Sequence, residues 1–279
     1  FHPFCYMLLT IKILAFPATL QGHNEVEARE GAAMNALESY LSTYGDRCAA
    51  FLMEPLVQGA AGMKMCRPAY VQQVAARLKS AGILLIFDEV MTGFGRTGSL
   101  FACEKAETTP DIICLSKGLT GGFLPMSVTV CREKIYEAFL GEHFDRAFAH
   151  GHSFTANPLG CAAALASLAL FEEEKSLERV AAIERIHRQR LLALAGHLRV
   201  ERPRIMGSIA ALDIQASDAG YASRIGLFLR AFFLDRGLLL RPLGNTLYLL
   251  PPYCITAAEL HQAWDSVEAA LKQLPPAIL

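Results

Sequence analysis

The eight cysteines include no Cys-x-x-Cys pair, and no cysteines and histidines stand at zinc-ligand spacing. Neither a disulfide framework nor a structural zinc site is expected, and the thiols read as the reduced thiols of a cytoplasmic protein. Net charge is also missing. With 26 Lys and Arg against 27 Asp and Glu the formal charge is −1, which provides no electrostatic reason to expect nucleic acid or an anionic membrane as partner. Charged residues are only 19 % of the chain and hydrophobic ones 53 %, a balance that predicts extensive burial rather than disorder. The apolar run at residues 7–16 is too short to span a bilayer. It contains Lys12 and has no basic region before it, so it does not read as a secretory signal either. Repeats, low-complexity tracts and a phosphate-cradling G-x-x-x-x-G-K-[ST] loop are absent. So is an initiator methionine: the opening Phe1-His2-Pro3-Phe4 reads as a cut through a larger protein.

What is present is an alternation of strand and helix signals. The 279 residues suffice for one large or two ordinary domains. A short apolar strand at 49–55 ends on Pro55. Residues 68–81 carry Tyr70, Val71, Val74, Ala75 and Leu78 at helical spacing and stop at Gly82. Strands follow at 83–89, 112–117 and 127–131, then a helix over about 133–140. This order predicts an α/β fold with a mainly parallel sheet covered by flanking helices. A small-residue helix is expected at 159–170 and a long charged one at 172–198. Beyond them come a strand at 208–214, a helix at about 221–235, strands at 238–241 and 247–250, and a last helix at 256–274. The change of character near Phe171 predicts two domains, 1–170 and a smaller C-terminal α+β unit, 171–279.

Two strand ends carry the chemistry. Asp88 closes Ile83-Leu84-Leu85-Ile86-Phe87-Asp88, and Lys117 closes Ile112-Ile113-Cys114-Leu115-Ser116-Lys117 before Gly118, Gly121 and Gly122. Adjacent parallel strands place such ends at one edge of the sheet, where open α/β sheets bind ligands. A carboxylate and a lysine there suit pyridoxal phosphate, with the lysine as its Schiff-base partner and the aspartate on the pyridinium nitrogen. The other seven lysines read as solvated surface residues. An apolar setting for Lys117 would favour the neutral nucleophile. Gly93-Phe94-Gly95-Arg96-Thr97-Gly98 matches the dinucleotide fingerprint by letter, but it starts five positions after the strand-ending Asp88 and no clear helix starts inside it, so it reads as a loop. His150 and His152, at the end of another expected strand, fit a polar strand end as well as metal ligation, and Ser153 suits a phosphate. Arg241 in its apolar run wants a carboxylate, either a ligand's or an internal one. Glu54 before Pro55 reads as a turn residue rather than a site carboxylate.

These blocks in this order resemble the class III (ω-type) aminotransferases of fold type I. They are Phe51 to Pro55 with Gly59 and Gly62, Phe87 to Gly98, Pro110 to Gly118, and His150 to Leu159. Within that family, Leu119-Thr120-Gly121-Gly122, Arg241-Pro242-Leu243-Gly244, Leu247 to Tyr253 and Gly22-His23-Asn24-Glu25-Val26-Glu27 are similar to a branch of biotin biosynthesis. That branch moves the amino group of S-adenosylmethionine onto 8-amino-7-oxononanoate. The resemblance implies that Lys117 carries pyridoxal 5'-phosphate and moves the substrate proton, and that Asp88 keeps the ring nitrogen protonated. It further implies that His152 and Ser153 grip the cofactor phosphate across a homodimer interface, that Gly151 lines the substrate, and that Arg241 binds the oxononanoate carboxylate near Tyr248. The family's N-terminal phosphate-binding and ring-stacking residues have no counterpart in these 279 residues, so the isolated chain is expected to hold half a site and to be inactive. Two readings stay open beside this one. One is another class III enzyme with an amino-acid or diamine donor. The other is a catalytically incomplete chain that only dimerises.

Overall fold

The computed structural model describes residues 11–19, 25–194, 196–216, 218, 220 and 223–274. The expected motif at Gly22-His23-Asn24, the opening residues 1–10 and the expected helix start at Tyr221 lie outside the described residues.

The first helix, α1 (Val26–Tyr44), buries Ala33, Leu37 and Leu41 at four-residue intervals, a narrow stripe on an otherwise polar helix. Its buried Glu30 receives Nε and Nη2 of Arg67 at 2.9 and 2.6 Å, a bidentate pair that ties α1 to the chain ahead of α2. Strand β1 (Ala50–Met53) leads into a small hairpin, β2 (Val57–Gln58) with β3 (Lys64–Met65). Helix α2 (Pro68–Ala81) starts on a proline at its first turn and ends at Gly82, whose φ of 68° makes the left-handed cap. Its bounds are those read from the sequence. Then come β4 (Leu84–Asp88), the one-turn α3 (Ala102–Lys105), β5 (Ile112–Leu115), β6 (Val128–Cys131) and the short α4 (Glu133–Glu137).

The sheet order is β1-β4-β5-β6, parallel for the first two pairs and antiparallel for the last. Phe51 pairs with Leu85 and Met53 with Phe87, so these side chains share the face that packs on α1 and α2. Leu52 and Leu84 point the other way and remain exposed, at 63 % and 36 %; among the described residues the helical cover is concentrated on one face.

Helix α5 (Pro158–Glu173) is capped by Asn157, whose side chain accepts the Gly160 N–H at 2.7 Å. The single long helix expected over 172–198 is instead interrupted. Lys175 takes a left-handed φ of 48°, and α6 (Ser176–Ala193) begins after it. Strands β7 (Val200–Met206), β8 (Ile209–Ile214) and β9 (Thr246–Leu249) form an antiparallel sheet, with α7 (Ile225–Leu234) and α8 (Ala257–Lys272) packed on it around Trp264, Phe233 and Leu229. Strand β7 is absent from the sequence reading because Pro203 and the charged Glu201, Arg202 and Arg204 hide its pattern. It forms as an edge strand with a bulge between Glu201 and Arg204, where proline is tolerated. The strand expected at 238–241 does not form. Leu238 and Leu240 give their N–H groups to Phe233 and Leu238, and the chain reverses through a Leu243–Thr246 bridge, leaving nothing for a ladder.

The C-terminal sheet is bolted to the β2–β3 hairpin by Arg204. This buried side chain donates to the Met63 and Gly62 carbonyls and to Asp213 Oδ1 at 2.8 Å, and Thr246 Oγ1 donates to the same carboxylate oxygen. Breaking a buried pair from one side costs about 3 kcal/mol or more. Arg204→Met is accordingly expected to lower the unfolding free energy by about 3 kcal/mol in urea titration, Arg202 remaining as a second, exposed partner of Asp213.

A second buried group makes stability depend on pH. Trp264 Nε1 donates to His187 Nδ1 at 3.1 Å, which leaves the proton on Nε2 for the Ser208 carbonyl at 3.2 Å. The neutral ring is fully satisfied, and burial pushes its pKa down to about 4. Because this folded value lies below the unfolded one, the unfolded chain binds the extra proton first. The stability is complete above about pH 6.5 and is lost as pH falls toward 4. Between pH 7 and 5 the loss should be about 2 kcal/mol. Urea titrations of the protein and of a His187→Gln variant check this, since the variant should lack that component.

Candidate active site

Glu54 follows β1, Asp88 ends β4 and Lys117 follows β5. Because these three strands are adjacent and parallel, all three residues arrive at the same sheet edge. Asp88 stands opposite Cys114 in the register, and its Oδ1 accepts the Val90 N–H at 3.0 Å, an Asx-type turn that fixes the carboxylate as the chain leaves the strand. Lys117 opens a 3-10 turn (Lys117–Thr120) with a left-handed φ of 40°, and Ser116 is pinned by its hydroxyl to the Met126 carbonyl at 2.7 Å. The Lys117 side chain is exposed, so the apolar enclosure expected around it is not built by the described residues.

Glu54 serves its turn, as read from the sequence, and also stands at the edge that holds Asp88 and Lys117. Its Oε2 does accept the Gly59 N–H at 2.9 Å, as a turn carboxylate would. Burial nevertheless pushes it above the ordinary carboxylate range. The Gly59 bond opposes that push, the Asp88 charge adds to it, and the Lys117 ammonium opposes it. Glu54 thus stands within charge–charge reach of both other groups. The local sequence offers both a turn and a site role for Glu54, and the strand order is what brings it to this edge.

Glu89, next to Asp88, is wholly buried and faces the opposite way. It accepts the Ala102 and Cys103 N–H groups at 2.6 and 2.8 Å and the Thr92 hydroxyl at 3.1 Å. It therefore closes the loop of residues 90–101 onto the start of α3. Burial raises its pKa, and these hydrogen bonds oppose the rise. The Gly-rich stretch 93–98 lies inside this loop as consecutive turns, with Gly95 and Gly98 at φ of 94° and 97°, so the loop reading of that motif holds.

The donor set fits pyridoxal phosphate at one end. An anchored carboxylate and a primary amine share an edge, while the glycine after the lysine makes room for Phe94: a Cβ on Gly118 would sit 2.7 Å from Phe94 Cβ. The residues assigned to the rest of the site are not gathered in the same way. The strand expected to end at His150 is absent; the segment turns on itself, with Ala147 N–H given to Phe144 and His150 N–H to Phe148. Gly151, His152 and Ser153 are exposed there, and the His152 ring accepts the Phe154 N–H at 3.1 Å. Neither His150 nor His152 joins a metal-ligand cluster among the described residues. Arg241 is exposed and has no carboxylate partner among the described residues, so the internal ion pair considered for it is not formed. Tyr248, on β9 opposite Ala211, packs against the core of the first sheet. No helix among the described residues is long and apolar enough to cross a membrane.

The sequence model of class-III aminotransferases matches residues 1–271. The adenosylmethionine-8-amino-7-oxononanoate aminotransferase of Synechococcus elongatus is 53 % identical over 272 residues, which cover 98 % of this chain and 63 % of that protein. The protein of the same name from Geobacter sulfurreducens is 38 % identical, over 85 % of this chain and 54 % of its own length. Among solved structures, the adenosylmethionine-8-amino-7-oxononanoate aminotransferase of Methanocaldococcus jannaschii superposes with a TM-score of 0.80 at 34 % identity, covering 86 % of this chain and 57 % of that one. An amine transaminase from an uncultivated Pseudomonas species, in its PLP-bound form, does so at 0.82 and 31 %, covering 89 % and 58 %. The chain thus spans less than two thirds of the length of these relatives.

Proposed function

This chain belongs to the class-III aminotransferase family, and on that premise we propose that the protein carrying it transfers the amino group of S-adenosylmethionine to 8-amino-7-oxononanoate, with pyridoxal phosphate as cofactor. The observation that carries the proposal is the meeting of Asp88 and Lys117 at adjacent parallel strand ends. The likeness to relatives named for this reaction supports the choice of substrates.

In this reading the cofactor, when bound, supplies the electron sink that makes the substrate Cα–H acidic. The chain's own residues do the rest. Asp88 holds a proton on the ring nitrogen, its carboxylate kept in place by Val90 N–H. The Lys117 amine would hold the cofactor and, once the substrate's own amino group had displaced it, would be free to take the proton from the substrate Cα and give it back as general base and acid. His152 and Ser153 grip the phosphate from across a homodimer interface, which accounts for their outward position in a single chain. Gly151 lines the substrate, and Arg241, unpaired within the described residues, takes the acceptor's carboxylate beside Tyr248. We place the working protein in the cytosol. We divide the chain into domains 1–170 and 171–279; the core around Trp264 draws only on the second, while the core under the first sheet also takes in Ile209 and Ala211.

The test is turnover by the purified protein with S-adenosylmethionine as sole donor and 8-amino-7-oxononanoate as acceptor, the diamine product being read by mass spectrometry. Product formed only with alanine or a diamine as donor would transfer the chain to another class III activity.

A further inference from the structure

We propose that Tyr253 is a positioning residue for Lys117, acting from the C-terminal unit through the backbone of Phe94. The proposal rests on the reading of Lys117 as the reactive amine. Tyr253 lies just after β9, and its hydroxyl donates to the Phe94 carbonyl at 2.7 Å. The ring is held on both sides. The Arg96 guanidinium stands 4.6 Å from its centroid, and Phe171 meets it edge-on at 6.4 Å. Arg96 is itself fixed: its Nη1 donates to the Pro251 carbonyl at 2.7 Å, and its carbonyl accepts the Ser208 N–H at 3.0 Å. The tip of the Gly-rich loop is thereby strapped to the C-terminal sheet.

The strap matters because of what Phe94 touches. Phe94 has a left-handed φ of 56°, a conformation a bulky residue keeps only when its surroundings impose it. Its ring is buried and packs edge-on against Phe101, with centroids 5.5 Å apart. Its Cβ presses on Gly118 so closely that no side chain would fit there. From the other side, Ser167 of α5 donates to the Gly118 carbonyl at 3.1 Å. Gly118 is therefore clamped between two elements, and Lys117, immediately before it, is itself left-handed at 40°. Phe94, pressed on Gly118, and Lys117 beside that glycine are both left-handed, and the strap that steadies them includes the Tyr253 hydroxyl. Without it, Phe94 can relax, Gly118 gains room, and the turn that presents Lys117 at the Asp88 edge loosens.

The experiment compares Tyr253→Phe and Arg190→Gln with the parental protein. Arg190→Gln removes the α6–α8 ion pairs to Asp265 and Glu268 and so loosens the C-terminal unit away from the strap. Two quantities are read. One is amide hydrogen exchange at Gly95, which donates to Leu100, and at Leu119, which donates to Ser116. The other is the pyridoxal phosphate concentration that half-saturates borohydride-trapped label on Lys117. For Tyr253→Phe, exchange at both amides should quicken about three- to tenfold, as expected for one lost hydrogen bond, and half-saturation should rise by a similar factor. Arg190→Gln should leave both unchanged. Parental behaviour of Tyr253→Phe, or equal shifts in Arg190→Gln, would overturn the proposal. If Lys117 takes no label in the parental protein, the reading of Lys117 fails, while the exchange rates still decide whether Tyr253 holds the turn.

Discussion

Lys117→Ala is expected to lower turnover by about 10⁴-fold, the upper range for a positioned acid–base group, and to abolish borohydride-stable attachment of the cofactor. The size follows from two roles resting on one amine. No other lysine can substitute, because Lys117 alone among the eight follows a strand whose neighbour ends in a carboxylate. The fold should be spared. The Lys117 side chain is exposed, and the 3-10 turn is held by Ser116 and Gly118 contacts that alanine leaves in place. Alanine would still have to accept the left-handed φ of 40°. Lysine already bears that strain through the same Cβ, so stability is expected to stay close to parental beside the loss of activity. Turnover assays, peptide mapping of the reduced adduct and thermal melting separate the three effects. Turnover within tenfold of the parental protein would remove Lys117 from the mechanism.

Asp88→Asn is expected to cost about 10²- to 10³-fold, the range seen when one preorganised electrostatic group is removed. The amide oxygen can still accept the Val90 N–H, so the turn should survive and only the charge is lost. Glu54 provides an independent readout. The Asp88 charge helps push its pKa up and the Lys117 ammonium holds it down. Asp88→Asn should therefore lower the Glu54 pKa and Lys117→Ala should raise it. Carbon-13 titration of the Glu54 carboxyl would show the opposed movements, and an unmoved Glu54 in both variants would mean that the three strand ends do not share one field.

Much of the first sheet was legible because strong local signals agree there. Helix α2 carries its proline start, its apolar spacing and its glycine stop within one segment, and the structure keeps those bounds. The Asp88 and Lys117 strands are apolar runs ended by polar residues and were found within a residue or two. Elements with diluted signals were missed. Helix α1 buries only a thin stripe of Ala33, Leu37 and Leu41 among Ser, Glu and Ala, and β7 hides behind Pro203. False positives had the converse cause. The leucines at 238–240 look like a strand, yet Leu239 is 84 % exposed and the nearby backbone groups bond locally.

The sequence by itself determined that a carboxylate and a lysine would end neighbouring strands, because side-chain type and apolar runs are local properties written in order along the chain. It also carried the blocks by which the family is recognised. Only the tertiary structure decided that Glu54 joins that edge, that Glu89 turns inward to close the loop, and that Tyr253 reaches Phe94. Those facts depend on strand order, on the alternation of faces at a strand end, and on contacts between residues more than a hundred positions apart, none of which has a signature in the local sequence.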